Sequence, residues 1–146
     1  MNPADPSVPL DTLAAELALA IGQLARRLRT QAASGGLNLS QLATLARLEQ
    51  NGSMTTADLA RAEAMKPQSM GTILAGLEAQ ALVRRRPDPS DGRRVLFALT
   101  ATGAGIRTQR SAAKREWLAT ALASLEARQR RTLIAAVPLI KRLGAA

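Results

Sequence analysis

The stretch LVRRRPDPSDGRRVLFALTATG, Leu82 to Gly103, decides how the rest of the chain is read. Two short runs, Leu82–Arg86 and Arg94–Leu99, each have the make-up of a strand, and the second alternates Val95, Phe97 and Leu99 on one face. Between them stand two prolines and the pair Asp91-Gly92, the chemistry of a hairpin loop. Five arginines (Arg84, Arg85, Arg86, Arg93 and Arg94) fall within eleven residues against two carboxylates, Asp88 and Asp91. A small cationic hairpin with no aromatic platform suits reaching along a polyanion backbone or into a duplex groove. The plainer alternative is a solvated charged hairpin on some other small domain.

Composition points the same way. The 146 residues carry 20 Lys and Arg against 11 Asp and Glu, a formal charge of +9, which favours nucleic acid or an anionic membrane surface as partner. Seventeen of those cations are Arg, the better side chain for forked contacts to phosphate and guanine. The length suits one domain, or one domain with dimerisation helices attached, and allows roughly two-thirds of the unfolded surface to be buried. With no Cys and no His, thiol redox sensing, disulfides, the usual metal ligands and the commonest general base are all missing. The thinly spread carboxylates offer no catalytic cluster, so an enzyme is the weakest reading, and no cofactor is implied. Phe97 and Trp117 are the only aromatic residues, too few for a surface that stacks single-stranded bases. No apolar run reaches membrane-spanning length and the N-terminus lacks a secretory pattern, so a soluble cytoplasmic protein is expected.

Outward from the hairpin, the pattern is helical. Residues 1–9 hold three prolines and are expected to form a flexible arm. Leu10, Leu13, Leu17, Ile21, Leu24 and Leu28 make one stripe of a first helix, with Asp11 as its cap and Ser34-Gly35-Gly36 as its stop. A second helix opens at Asn38, which has the spacing of a reciprocal cap with Gln41, and ends at Asn51-Gly52. A third begins with the similar pair Thr55 and Asp58. After a break around Glu63–Met65, Pro67 sits where the first turn of a fourth should be. That helix runs to about Gln80 with Met70, Ile73, Leu74 and Leu77 inward. Beyond the hairpin, Thr100 caps a long fifth helix bearing Ile106, Ala113 and Trp117 along one side. Ser124 caps a sixth, with Leu133, Val137 and Ile140 buried and a kink or break at Pro138. The order is α-α-α-α-β-β-α-α.

Residues 55–80 thus read as a helix-turn-helix, whose second helix enters the major groove. Its first turns carry Lys66, Pro67, Gln68, Ser69 and Thr72 as DNA-binding candidates. With the apolar residues turned inward, Gln68, Ser69 and Thr72 face out; Gln pairs with adenine, while Ser and Thr reach bases or phosphates. Ordinary solvated surface is the competing account of each taken singly.

Residues 37–103 resemble the DNA-binding core of the MarR family of winged-helix transcriptional regulators. The carrying segments are LNLSQLATLARLEQNG, MTTADLARAEAMKPQSMGTILAGLEAQALVRR, the wing DPSDGRR and the closing LTATG. The fold implied is mainly α with a small β-hairpin wing, a winged helix-turn-helix flanked by N- and C-terminal dimerisation helices. In numbers, 10–36 is the first dimerisation helix, 37–100 the DNA-binding lobe and 101–146 the C-terminal dimerisation helices. The resemblance also implies a homodimer on a pseudo-palindromic operator in double-stranded DNA, acting as a repressor released by a small anionic or phenolic ligand. Carried over by position, Gln68, Ser69 and Thr72 lie on the recognition helix and Arg93 at the wing tip that enters the minor groove. Asp91 is the carboxylate that holds this arginine or a neighbour in place, and Arg86 and Arg94 contact phosphates.

The chain departs from the family pattern at several points. Gly71-Thr72 stands where members often carry an Arg, which weakens guanine reading. Lys66 replaces a capping Ser or Thr. Ala64 and Ala81 stand where Gly is common; left-handed backbone costs a non-Gly residue about 1–2 kcal/mol, so these two turns are expected to differ locally. A ligand cleft is expected between the first, second and fifth helices and the DNA-binding lobe, where Arg26, Arg27, Arg29 and Arg47 could attract a carboxylate, although no ligand-binding residue is assigned. Trp117 reads as dimer core. Two other functions stay open: an architectural nucleic-acid protein without sequence preference, and a winged-helix protein–protein adaptor.

Overall fold

The computed structural model describes residues 8–145, so Met1–Ser7 of the expected arm lie outside the described residues. The elements in order are α1 (Leu10–Thr30), α2 (Leu39–Asn51), β1 (Met54–Thr55), α3 (Thr56–Ala62), α4 (Pro67–Ala79), β2 (Val83–Pro87), β3 (Val95–Leu99), α5 (Ala101–Ala123) and α6 (Ala127–Gly144). They group into two compact units, one of Ala33–Ala112 and one of the residues up to Ala32 together with those from Ala113 onward. The fold is a winged helix-turn-helix.

Local rules account for most helix starts in the Ala33–Ala112 unit. The Asn38 side chain accepts from the Gln41 N–H (2.9 Å) while Gln41 Oε1 accepts from the Asn38 N–H (3.0 Å), a complete capping box. Gly52, at φ 74°, closes α2. Thr55 Oγ1 accepts from the Asp58 N–H at 3.1 Å, although here the reciprocal half of the expected pair is not formed. Pro67 occupies the first turn of α4, where an absent N–H costs nothing. The core these helices enclose is apolar: Leu45, Leu59, Met70, Leu74, Leu77, Val83 and Phe97. Ile73, expected inward with them, is partly buried at its edge. Thr44 is buried as well, and its hydroxyl donates to the Ser40 carbonyl at 2.8 Å.

The sheet has three strands in the order β1-β3-β2, not the two expected. Met54 and Thr55 pair antiparallel with Phe97 and Leu96. A two-residue strand has no alternation to betray it. The hairpin itself is in register Val83↔Leu99, Arg85↔Phe97 and Pro87↔Val95. Phe97 is the buried member of the β3 face, whereas Val95, at the loop end, is exposed.

Both left-handed turns exist despite lacking glycine. Ala64 has φ 52° and Ala81 φ 58°. Each closes its helix with the same two bonds: Ala64 N to Arg61 O (3.2 Å) with Met65 N to Ala60 O (2.9 Å), and Ala81 N to Glu78 O (2.9 Å) with Leu82 N to Leu77 O (3.0 Å). These are Schellman motifs, and satisfying two end carbonyls offsets the strain. The expected local departure therefore does not occur.

The end of α4, the hairpin and the start of α5 meet at one point. The Leu82 carbonyl accepts from the Thr100 N–H at 3.1 Å, and Thr100 Oγ1 donates to the Ala81 carbonyl at 2.6 Å while accepting from the Gly103 N–H at 3.1 Å. Thr100 is thus the cap of α5, as expected. The α5 backbone approaches so closely that a Cβ on Gly103 would lie 2.1 Å from Leu82 O. This contact explains the glycine in LTATG.

Elsewhere the helix boundaries differ from the sequence reading. Pro9, not Asp11, precedes α1; Asp11 lies in its first turn, where it complements the helix dipole. The helix ends at Thr30, before Ser34-Gly35-Gly36. Ser124 does not cap α6, because its hydroxyl turns back to the Ala121 carbonyl (2.7 Å) and finishes α5. The cap is Glu126, whose N–H donates to the Gln129 Oε1 at 2.9 Å. Pro138 does not end α6, which continues to Gly144 with Pro138 in its interior. Leu133, Val137 and Ile140 are exposed rather than buried, at 43%, 47% and 43%.

Two substitutions should move stability in opposite directions. Gly103→Ala forces a methyl into the Leu82 carbonyl and should cost roughly 1–3 kcal/mol in urea unfolding. Ala81→Gly relieves left-handed strain and should raise the midpoint by the equivalent of about 0.5–1 kcal/mol, after the entropy cost of glycine. An unchanged midpoint for Gly103→Ala would contradict the close approach.

Candidate nucleic-acid interface

Burial of Met70, Leu74 and Leu77 turns the opposite side of α4 outward, leaving Gln68, Ser69, Thr72 and Ala75 exposed. Lys66 caps this helix by backbone conformation alone, with no side-chain cap bond, so its ammonium is not used there. Pro67 follows, also exposed. Five of the expected DNA-binding residues therefore stand together over the first two turns of α4. A Cβ on Gly71 would have nothing within 4 Å.

The hairpin arginines divide by role. Arg85 is held: its Nε lies 3.1 Å from both carboxylate oxygens of Glu78, and its guanidinium is 5.5 Å from the centroid of Phe97, its cross-strand partner. This pair ties the hairpin to the last turn of α4. Arg94 is held too, 3.5 Å from Asp58 Oδ2 of α3 and 3.8 Å from Asp88 Oδ2 at the base of the loop. The side chain expected to contact phosphate thus begins as a brace between the wing and the helix-turn-helix. Arg84, Arg86 and Arg93 are exposed and, among the described residues, form no ion pair. They are the hairpin cations left for an external anion.

Asp91 acts through the backbone. Its Oδ1 accepts from the Arg93 N–H at 3.1 Å and its carbonyl accepts from the Arg94 N–H at 3.0 Å, which shapes the tip that presents Arg93. Of the two loop carboxylates, the one that pairs with a wing arginine is Asp88, which the sequence reading did not single out. Asp88 Oδ1 accepts from the Ser90 hydroxyl (2.7 Å) and the Ser90 N–H (2.9 Å). These two bonds, then the charge of Arg94, hold its carboxyl below the ordinary value of 3.8 against a burial effect of opposite sign. Its D-P-S-D context marks an Asx turn, and its pairing with Arg94 stays within the hairpin, but that residue's reach to Asp58 of α3 is a long-range fact.

Among the arginines expected near a ligand cleft, Arg47 is engaged inside the Ala33–Ala112 unit. Its Nε lies 3.0 Å from Glu63 Oε1 and bridges α2 to α3. Arg107 similarly joins α5 to α2 through Glu49 (2.7 Å).

The other unit offers a different surface. Neither α1 nor α6 has a buried residue. Leu24, Leu118, Leu122, Leu133, Val137 and Ile140 line an open apolar cleft of about 350 Å³. Arg130 closes the turn beside it by donating to the Leu125 carbonyl. The Arg27 guanidinium lies over the Trp117 ring at 5.7 Å from its centroid, so Trp117 is half covered within the chain.

The MarR family model matches residues 37–95. An HTH-type transcriptional regulator of Mycobacterium bovis is 39% identical over 128 residues, covering 88% of this chain and 90% of that one. The HTH-type transcriptional repressor NicR of Pseudomonas putida is 30% identical over 132 residues, covering 85% and 84%. A transcriptional regulator of Pseudomonas aeruginosa, known as a crystal structure, superposes with a TM-score of 0.81 at 32% identity, covering 92% and 95%. These relatives are regulators and not enzymes.

The Asp88 geometry has a pH signature. Because its folded value is depressed, the stability it contributes is complete above the ordinary value of 3.8 and is lost as pH falls through the lower folded value. An NMR titration should place the Asp88 carboxyl midpoint below 3.8, and Ser90→Ala should bring it back up. A wild-type midpoint at or above 3.8 would count against the turn as described.

Proposed function

The chain belongs to the MarR family of transcriptional regulators, and on that premise we propose that it is a homodimeric, sequence-specific repressor on a pseudo-palindromic duplex operator. The observation that carries this reading is the sorting of charge. Arg85 and Arg94 hold the wing, while Arg84, Arg86 and Arg93 on the hairpin and Lys66 at the start of α4 are exposed and, among the described residues, pair with no carboxylate. Unneutralised cations beside an outward helix face suit a phosphate backbone with a groove between its strands.

In the proposed complex, Gln68, Ser69 and Thr72 face base edges or phosphates, and Arg93 enters a minor groove at the wing tip. Narrow A·T-rich segments, where the negative potential is deepest, suit it best. Arg86 contacts phosphate from the stem, and Arg94 does so only when its two carboxylates release it. Two copies of α4 meet successive major grooves about 34 Å apart.

Homodimerisation is supported by the apolar faces of α1 and α6. Leu10, Leu19, Ile134, Leu139 and Leu143 are among thirteen large hydrophobic residues exposed among the described residues, all but Leu39 and Val95 on these two helices, more than a soluble monomer ordinarily carries in contiguous patches. A second copy covers them and fills the cleft between α1, α5 and α6. Release by a small anionic or phenolic ligand is part of the same proposal. Such a ligand acts only insofar as it binds the DNA-competent and incompetent forms with different affinity. No helix among the described residues is long and apolar enough to cross a membrane, and the proposed site of action is the cytoplasm.

The test is a fluorescence-anisotropy titration against duplexes tiling the DNA upstream of the protein's own gene, with excess unrelated duplex at near-physiological salt. One tile should hold two protomers against the competitor. Arg93→Ala should weaken that complex about tenfold or more with the dimer mass unchanged by light scattering, whereas Val137→Asp should yield a monomer that has lost the operator. Equal competition on every tile would favour the architectural reading. Absence of binding would favour an adaptor.

A further inference from the structure

The exposed face of α4 has an unusual chemical content for a helix that reads bases. Pro67, Gln68, Ser69, Thr72, Ala75 and Ala79 are the exposed residues over its whole length, and none is charged. Bidentate reading of guanine requires Arg or Lys, and this face has neither. Every cation near it is off the face: Lys66 precedes the helix, Glu78 engages Arg85, and Arg84, Arg86 and Arg93 are on the hairpin.

Thr72 refines the picture. Its hydroxyl donates to the Gln68 carbonyl at 3.3 Å, one turn back along the helix. With its proton so engaged, the hydroxyl keeps only acceptor capacity, and the apolar group the exposed side chain offers a partner is its methyl. Ala75 adds a second methyl close by on the same face, and Gly71 between Gln68 and Ala75 adds no bulk, since nothing in the chain occupies the space a Cβ would take. One amide and two methyls, on a helix able to lie close, match adenine N6 and N7 together with the thymine C5 methyl.

We propose that α4 reads A·T pairs in the major groove, with the Thr72 methyl, supported by Ala75, packed on thymine C5 methyl groups and Gln68 paired with adenine. This rests on the reading of α4 as the DNA-contacting helix and names the base pairs that helix selects. It is separate from any A·T preference of Arg93, because a wing in the minor groove does not touch the thymine methyl.

The experiment is selection of bound duplexes from a randomised library by the full-length protein, followed by thymine-to-uracil substitution at each selected position. Uracil keeps base pairing and the minor groove and removes only the major-groove methyl. The selected half-sites should hold A·T pairs at their centres. At one or two of those positions, uracil should weaken wild-type binding about fourfold, the equivalent of ~0.8 kcal/mol for one buried CH₂-sized group. Thr72→Ser, which keeps the hydroxyl and loses the methyl, should bind thymine and uracil duplexes alike at the position Thr72 reads. Half-sites centred on G·C, uracil tolerated at every position, or a full thymine preference retained by Thr72→Ser would each overturn the proposal. If no duplex is enriched, the DNA-binding reading itself fails and this inference goes with it.

Discussion

The nearness of the α5 backbone to the Leu82 carbonyl governs the arrangement of the Ala33–Ala112 unit. Only a residue without a side chain fits at Gly103, where a Cβ would stand 2.1 Å from that oxygen. The same carbonyl accepts the Thr100 N–H, while the Thr100 hydroxyl reaches the Ala81 carbonyl. Three elements are thereby pinned within a few residues of one another: the end of α4, the first strand of the hairpin and the start of α5. The outward face of α4 and the wing arginines inherit their relation from this junction. Left-handed Ala81 is part of it, since its Schellman bonds deliver Leu82 to the contact.

Charge in this chain does two jobs, and the wing shows the division most clearly. Arg85 and Arg94 spend their guanidiniums on Glu78, Asp58 and Asp88, bridging the hairpin to α4 and α3. Such exposed pairs contribute little to stability one at a time. Their consequence is orientational, because a two-stranded ribbon is marginal without tertiary support. Arg84, Arg86 and Arg93 remain outside these pairs, and a backbone turn built by Asp91 presents Arg93 at the tip. A net charge of +9 is thus less informative than which cations are already occupied.

The other unit is organised by what it leaves uncovered. Its helices are amphipathic, yet α1 and α6 have no buried residue, and their apolar faces open on a cleft of about 350 Å³. At roughly 25 cal/mol per Å², exposed leucine and isoleucine side chains on this scale represent a large free energy that covering them would release, as in the proposed dimer. Trp117, half covered by Arg27, sits in the same unit as a single natural fluorophore for following such an event.

Much was legible in the residues wherever the governing interaction spans three or four positions. The Asn38–Gln41 capping box, Pro67 in a first turn, the Asp91-Gly92 loop and the Thr100 cap all appear as read, because each is decided by neighbours along the chain. Local rules were misleading where two candidates compete. Ser124 has the chemistry of a cap, but its hydroxyl was taken by Ala121, and Glu126 with Gln129 took the role. Ala64 and Ala81 looked unsuited to left-handed turns, yet two end bonds at each hold them there. What the sequence by itself determined was the succession of helices, the hairpin, the outward identity of Gln68, Ser69 and Thr72, and the absence of His and Cys chemistry. Only the tertiary structure decided that Met54–Thr55 joins the sheet, that Arg94 finds Asp58 and Asp88 while Arg93 does not, and that the apolar stripe of α6 stays exposed in a single chain. Periodicity states which side of a helix is apolar; what covers that side, and which carboxylate an arginine meets, depends on residues tens of positions away brought close by packing.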